Sequence, residues 1–341
     1  MSNAADTEVV LEKLREALNN SVRSSADIKQ LLALVQATTS LIDSNASSLD
    51  VKISSSALQE MTAAFEMFAP YRHVPKVTIF GSARTTADNP IYAQTVAVAQ
   101  ELASHGFMVV TGAGPGIMEA GMVGAGREKS IGVSINLPFE TGANTIISGD
   151  EKYVSMRYFF TRKLLLIKES QAFLCLPGGF GTLDETFELL TLAQTAKSVP
   201  VPIVFLEIPG APFWTPIMNA LTLILLEQGL ISESDTTLYT ITNSVEAAVS
   251  EITTFYKNFH SIRFVGNTLY LRIQRAIPAD DFAALVTAHA SITTNGTMFQ
   301  AMATSVERKD NDHVDLHRIG LKYSAKGFAD LRPLINAINQ Y

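Results

Sequence analysis

Residues 177–185, Pro-Gly-Gly-Phe-Gly-Thr-Leu-Asp-Glu, stand between the apolar run 172–176 and the amphipathic run 183–195. A short strand that ends in glycines and turns into a helix is suited to holding an anion. The glycines let backbone N–H groups approach it without a Cβ clash, and the open donors and dipole of a helix N-terminus favour negative charge there. Gly178, Gly179, Gly181 and Thr182 are therefore candidate phosphate contacts, and Glu185 sets a carboxylate one turn into the helix, beside whatever hangs from the phosphate. The pattern points to a sugar phosphate or a nucleotide. A second reading stays open, because Thr182 and Glu185 also have the T-x-x-E spacing of a capping box. Such a box would explain those two residues but not the glycines before them.

The same grammar recurs upstream. From residue 76, short apolar runs alternate with segments of helical period: strands are predicted at 77–81, 107–111, 131–137, 172–176 and 203–206, and helices at 91–104, 117–125, 156–168 and 183–195. This alternation predicts an α/β fold, a Rossmann-like parallel sheet with helices on both faces. Ligands of such sheets bind beyond the carboxyl ends of the strands. Gly81 with Ser82, then Gly112, Gly114 and Gly116, then 178–181 all fall there, so three loops are expected to converge on one crevice. The middle cluster, Thr-Gly-Ala-Gly-Pro-Gly, departs from the G-x-G-x-x-G dinucleotide fingerprint. Where that fingerprint wants an acidic residue, the chain reads Ile135-Asn136-Leu137-Pro138, which argues against a redox dinucleotide. These glycines would also serve a tight turn with no ligand at all.

A third element, Tyr153 to Lys163, is placed near the start of a helix at the same edge. Arg157 and Lys163 are candidate substrate contacts, and Arg162 is positioned to pair with Glu185 or with phosphate. A paired guanidinium and carboxylate would suit a transition state with positive charge on a sugar ring. The plain alternative is a solvated helical face. His313 and His317, with Asp312 and Asp315, lie in a predicted loop entering a strand, so no metal site is expected from them. No serine sits in a nucleophile elbow.

Flanking this region, residues 6–70 carry helical periodicity through Leu11, Leu14 and Leu18, then Ile28, Leu31 and Val35, then Met61, Phe65 and Phe68. The polar stretch 43–56 is expected to separate two helices, and Pro70 and Pro75 to close the region. After helices near 213–228 and 245–259, the pattern changes again at about His260: strand or hairpin over 262–273, helix over 279–289, strand over 318–323 and helix over 328–338. The expected division is a helical N-terminal region (1–74), the Rossmann-like domain (75–259) and a small α+β appendage (260–341). With 33 acidic against 26 basic residues and a formal charge of −7, nucleic acid is not an expected partner. Cys175 is the only cysteine, which excludes an intrachain disulfide and suits core filling. No apolar stretch is long enough for a membrane span and the N-terminus lacks a signal pattern, so a cytoplasmic protein is expected.

Taken together, Gly81-Ser82, residues 111–120, Arg162-Lys163 and the P-G-G-x-G-T-x-x-E element resemble the LOG ("lonely guy") family, formerly labelled possible lysine decarboxylases. Ile135 to Glu140 and Phe159 to Lys163 are similar to its longer bacterial members, and the flanking regions to a long, cyanobacterial-type subgroup. The resemblance covers about residues 75–258. It implies a homodimer or higher homo-oligomer with sites near the interface. It also implies hydrolysis of the N-glycosidic bond of nucleoside 5'-monophosphates to free base and ribose 5-phosphate, with no cofactor. Arg162 and Glu185 match the family's catalytic pair, and the glycines with Thr182 match its phosphate binders. Ala113 stands where many members have a third consecutive glycine, a substitution that is comfortable only at negative φ. Two other readings of the crevice are a nucleotide-binding sensor that cleaves nothing and a phosphoribosyl transferase.

Overall fold

A computed structural model describes residues 9, 12, 13, 16, 25–137, 142–324 and 327–341. Two compact units divide the chain, residues 1–62 and 63–341. In the first, helix α1 spans Ser25–Asp43, and helix α2 opens at Ser48 within the span Ser48–Phe68. The polar stretch 43–56, expected to separate helices, is mostly the beginning of α2. Its polarity is helix-start chemistry: Asp50 Oδ2 accepts from the Ser47 N–H at 2.9 Å, and Ser47 Oγ accepts from the Asp50 N–H at 3.2 Å, the reciprocal pair of a capping box. Leu11, Leu14 and Leu18 lie outside the described residues, as do Pro138, Phe139 and Glu140.

The second unit holds seven parallel strands: β1 (Lys76–Phe80), β2 (Met108–Thr111), β3 (Ser130–Ile135), β4 (Tyr153–Met156), β5 (Ala172–Cys175), β6 (Ile203–Leu206) and β7 (Thr240–Thr242). Their spatial order is β4-β3-β2-β1-β5-β6-β7. The connecting helices are α3 (Pro90–Ser104), α4 (Ile117–Ala125), α5 (Phe159–Lys168), α6 (Phe180–Gln194), α7 (Trp214–Glu227) and α8 (Val245–Thr254). Strands β1, β2, β5 and β6 are buried along their whole length, which is why they read as predominantly apolar runs. Val77 and Ile79 pack into a core with residues of α3, α4 and α8. Thr78, on the other face, donates its hydroxyl to the Leu166 carbonyl of α5 at 3.0 Å. Chain order reverses direction across the sheet between β1 and β5, so a crevice opens beyond their carboxyl ends.

Strands β4 and β7 are absent from the sequence expectations, and they are the two edges of this sheet. Tyr153 to Met156 was expected to lead into a helix from 156; it pairs instead with Gly132 to Ile135, and the helix begins at Phe159. An edge strand half open to solvent needs no continuous apolar run, so its pattern is weak.

Beyond α8 a four-stranded antiparallel sheet is ordered β10-β11-β9-β8, from β8 (Phe259–Val265), β9 (Thr268–Ile273), β10 (Thr293–Ala301) and β11 (His317–Tyr323). Helices α9 (Ala279–Ala288), α10 (Ser305–Asp310) and α11 (Leu331–Ile338) accompany it. Leu269, Leu271, Ile319, Leu321, Leu334 and Ile338 form its core. The helix expected over 245–259 stops at Thr254, and Phe259 opens β8. Strand β10 escapes prediction because it is polar and breaks register where Asn295 and Gly296 take positive φ, 55° and 66°. Helix α10 brings in Glu307, a fully buried carboxylate that accepts from Arg272 Nε at 2.9 Å and from Arg318 Nε at 3.3 Å. Burial pushes its carboxyl up, but hydrogen bonds from Thr304, Arg272 and Arg318 outweigh that and hold it at about 2. Asp312 joins the same network, accepting from Arg272 at 2.6 Å. No described helix is long and apolar enough to cross a membrane.

Candidate active site

Three glycine loops meet at the β1/β5 crevice and are hydrogen-bonded to one another. The Ser82 N–H donates to the Pro177 carbonyl at 3.2 Å, and the Ile117 N–H that opens α4 donates to the Ser82 carbonyl at 3.0 Å. Gly116 is required at this junction: its φ is +70°, and a Cβ there would come within 2.4 Å of the Ser82 oxygen. The middle loop is also anchored by Asn144, whose N–H donates to the Ala113 carbonyl at 2.8 Å and whose Nδ2 donates to the Gly114 carbonyl at 3.1 Å. Sequence reading gave no weight to Asn144, because a lone Asn in a polar stretch carries no spacing signal. Ala113 does not adopt the negative φ that would suit a methyl; it is fully buried at φ +57°. An L-residue is strained there, and its N–H bond to Thr111 Oγ1 at 3.0 Å helps to hold the turn.

Arg162 rises from the first turn of α5 and is buried. Its Nε donates to the Val133 carbonyl at 3.1 Å, and its guanidinium lies against Gly112, where a Cβ would fall 2.1 Å from Nη2. Nη1 stands 3.7 Å from Oε1 of Glu185 on α6, whose side chain is 14% exposed. Burial pushes the Glu185 carboxyl above its ordinary value, against the opposing pull of Arg162 and Lys163.

Helix α6 begins at Phe180, with Gly179 as its cap residue and no side-chain cap, so the Thr182/Glu185 capping box does not form. Thr182 sits inside the first turn, buried against Gly178, where an added Cβ would lie 2.2 Å from its Oγ1. The N–H groups of Phe180, Gly181 and Thr182 precede the first backbone bond of the helix, Leu183 N–H to the Gly179 carbonyl at 3.0 Å. Gly179 and Gly181 face open space.

Lys163 turns from the crevice to α6, bridging Asp184 Oδ2 at 2.6 Å and Glu188 Oε2 at 2.8 Å. It thereby ties the helix carrying Arg162 to the helix carrying Glu185. Burial lowers its ammonium, but the two carboxylates outweigh that and leave it above its ordinary value. Arg157 is exposed just beyond the carboxyl end of β4. Gly81 packs against Ile117, whose Cγ2 would be 2.4 Å from a Cβ placed there.

Residues 110–252 match the family model described as "Possible lysine decarboxylase". That match agrees with the resemblance to the LOG family read from the sequence. The matched segment contains the middle and last glycine loops, Arg162 and Glu185, whereas Gly81 and Ser82 precede it. A curated relative, a probable cytokinin riboside 5'-monophosphate phosphoribohydrolase of Oryza sativa subsp. japonica, is 35% identical over 105 residues, 29% of this chain and 41% of its own length. The chain thus matches less than half of that relative. Among solved structures, the chain is similar to the molybdenum cofactor carrier protein of Chlamydomonas reinhardtii, at 20% identity over 53% of this chain and 97% of that one, with a TM-score of 0.37. The molybdenum cofactor binding protein of Rippkaea orientalis gives 18%, 53%, 97% and 0.38. Lys163, the lysine beside the site, does not suit that description: a Schiff base needs a deprotonated amine, and Lys163 is held charged between Asp184 and Glu188.

Proposed function

We propose that this chain hydrolyses the N-glycosidic bond of a nucleoside 5'-monophosphate, releasing free base and ribose 5-phosphate. In this reading residues 75–259 carry the activity, with 1–74 and 260–341 as flanking domains. The 5'-phosphate rests on the open N–H groups of Phe180, Gly181 and Thr182 at the start of α6, with Gly179 and Gly181 allowing close approach. The ribose then lies against Glu185.

The observation that carries the proposal is the largely covered Arg162–Glu185 pair, 3.7 Å apart, at the rim of the three-loop crevice. A carboxyl raised by burial is a stronger base than one in water, and the adjacent guanidinium opposes its neutralisation. Glu185 steadies positive charge developing at the anomeric carbon and takes a proton from the attacking water. The C1'–N bond breaks, the hydroxyl joins C1', and the proton taken by Glu185 passes to the departing base, which restores the carboxylate. Arg162, fixed by the Val133 carbonyl, sets the orientation of the carboxylate.

The name of the rice relative specifies a cytokinin nucleotide; the substrate class proposed for this chain is the shared chemistry, a nucleoside 5'-monophosphate. A homodimer or higher homo-oligomer is part of the proposal. Phe159 and Phe180, 52% and 92% exposed near the site, offer apolar surface for it. Release of ribose 5-phosphate from AMP, GMP, CMP and UMP tests the reading. Turnover is expected with at least one of them, and Glu185→Gln is expected to lose roughly 10² to 10⁴ in rate. Equal turnover by both proteins removes Glu185 from the chemistry, and tight nucleotide binding without base release identifies a sensor.

A further inference from the structure

A hollow of about 1630 Å³ lies away from the glycine loops, at the amino ends of the parallel strands. Val74, Pro75, Phe107, Gln171 and Val201 line one side of it, and strand β8 lines the other. Five successive β8 residues, His260, Ser261, Ile262, Arg263 and Phe264, border this groove. Neighbouring side chains of a strand point to opposite faces, so five in a row line one groove only where the strand presents its edge. That edge is free, because β8 is the terminal strand of its sheet and pairs only with β9.

The hairpin register gives the direction of the free groups. Val265 pairs with Thr268 across the two-residue turn Gly266-Asn267, with Gly266 at φ +58°. The closing pair of such a turn exchanges its hydrogen bonds, and alternate pairs follow suit. Arg263 and Ser261 therefore bond to β9, and the N–H and C=O of Ile262 and Phe264 point off the edge into the groove.

Two more features describe what fits there. Phe160, Leu164, Val199 and Phe264 line the groove while 55%, 46%, 55% and 54% exposed. Its charged lining is one-sided: Arg72, Lys168, Lys197 and Arg263 against the single carboxylate Glu188. Lys168 and Arg263 have carboxylate partners in Glu169 and Asp310; Arg72 and Lys197 are exposed. In a chain of net charge −7 this is a local reversal of sign. Arg263 also turns to Asp310 and Asp312 instead of shielding the edge, as a protective charge on an unpaired strand would.

We infer that this groove takes an extended acidic peptide from another polypeptide, which adds as a fifth strand to β8 and alternates acidic with β-branched or aromatic residues. Main-chain bonds to Ile262 and Phe264 would supply affinity, and the basic and apolar lining would supply selectivity. The inference does not depend on the hydrolase reading.

The test is selection of phage-displayed random dodecapeptides on the full-length protein, followed by titration of the winners. Enrichment of sequences alternating Asp or Glu with Val, Ile, Thr or Phe is expected. Phe264→Pro removes an outward N–H and leaves the β8–β9 ladder intact, and Lys197→Glu reverses one charge; each is expected to weaken binding about tenfold. Lys197→Glu keeps the test decisive if the proline variant misfolds. Winners without acidic enrichment, winners indifferent to both substitutions, or equal binding by backbone N-methylated copies overturn the inference. So does self-association of the free chain abolished by Phe264→Pro, which would make a second copy the occupant.

Discussion

Arg162 reaches Glu185 at 3.7 Å through Nη1 while its Nε is held at 3.1 Å by the carbonyl of Val133. The guanidinium is thus fixed by the sheet and aimed at a carboxylate on a different helix. Removing it affects Glu185 as well as the site. Because Arg162 pulls the Glu185 carboxyl downward against burial, Arg162→Met is expected to raise that carboxyl further. If the ionised form acts, the acid limb of a kcat/KM profile moves to higher pH, and the plateau falls by roughly 10² or more. An unmoved acid limb would mean that the limb belongs to another group.

Glu185→Gln separates stability from activity. The folded-state carboxyl lies above its ordinary value, so its contribution to stability is fully present below the unfolded value and is lost as pH rises through the folded one. At neutral pH the glutamine variant is therefore expected to melt higher than the wild type, with the gap closing as pH falls towards 4. Melting curves between pH 4 and 8 decide this.

Gly112 and Gly179 should respond differently to alanine. At Gly112 a methyl meets Arg162 Nη2 at 2.1 Å, whereas at Gly179 it meets open space. Gly112→Ala is expected to cost about 1–3 kcal/mol by overpacking and to lower turnover by about 10² through displacement of the guanidinium. Gly179→Ala should leave stability within about 0.5 kcal/mol and raise KM for the nucleotide. Chemical denaturation paired with steady-state kinetics separates the two effects.

Glu307 is the sensitive point of the antiparallel sheet. Its carboxyl is held at about 2, below the unfolded value, so it stabilises above that value and the contribution is lost as pH falls towards 2. Glu307→Ala leaves Arg272 and Arg318 buried without their shared carboxylate and is expected to cost about 3–5 kcal/mol. Hydrogen exchange of β9 and β11 amides should report the loss locally.

The central strands and their glycine loops were readable because a strand buried on both faces is mostly apolar, as Val77 to Phe80 and Ala172 to Cys175 are, with Thr78 bonding its hydroxyl to Leu166. The edges β4, β7 and β10 were not, since strands open on one side tolerate Ser155, Thr240 and Asn295. Within the candidate site, Arg162 and Glu185 stood out by motif. The carbonyl of Val133 and the side chain of Asn144 did not, because each acts through a single hydrogen bond across a loop. Lys163 was read as a substrate contact, yet its bond to Asp184 and Glu188 depends on how α5 lies on α6, which spacing within one helix does not encode.

The parallel sheet of the second unit also gives the molecule an electrical polarity. Helices α4, α5 and α6 follow strands β2, β4 and β5, which all run the same way, so their amino termini gather at one rim and their dipoles add there. Under the proposed function, a chain of net charge −7 would draw a phosphate ester to that rim with main-chain dipoles beside the Arg162 guanidinium. It has no need of a lysine-rich surface there, to which long polyanions would also adhere.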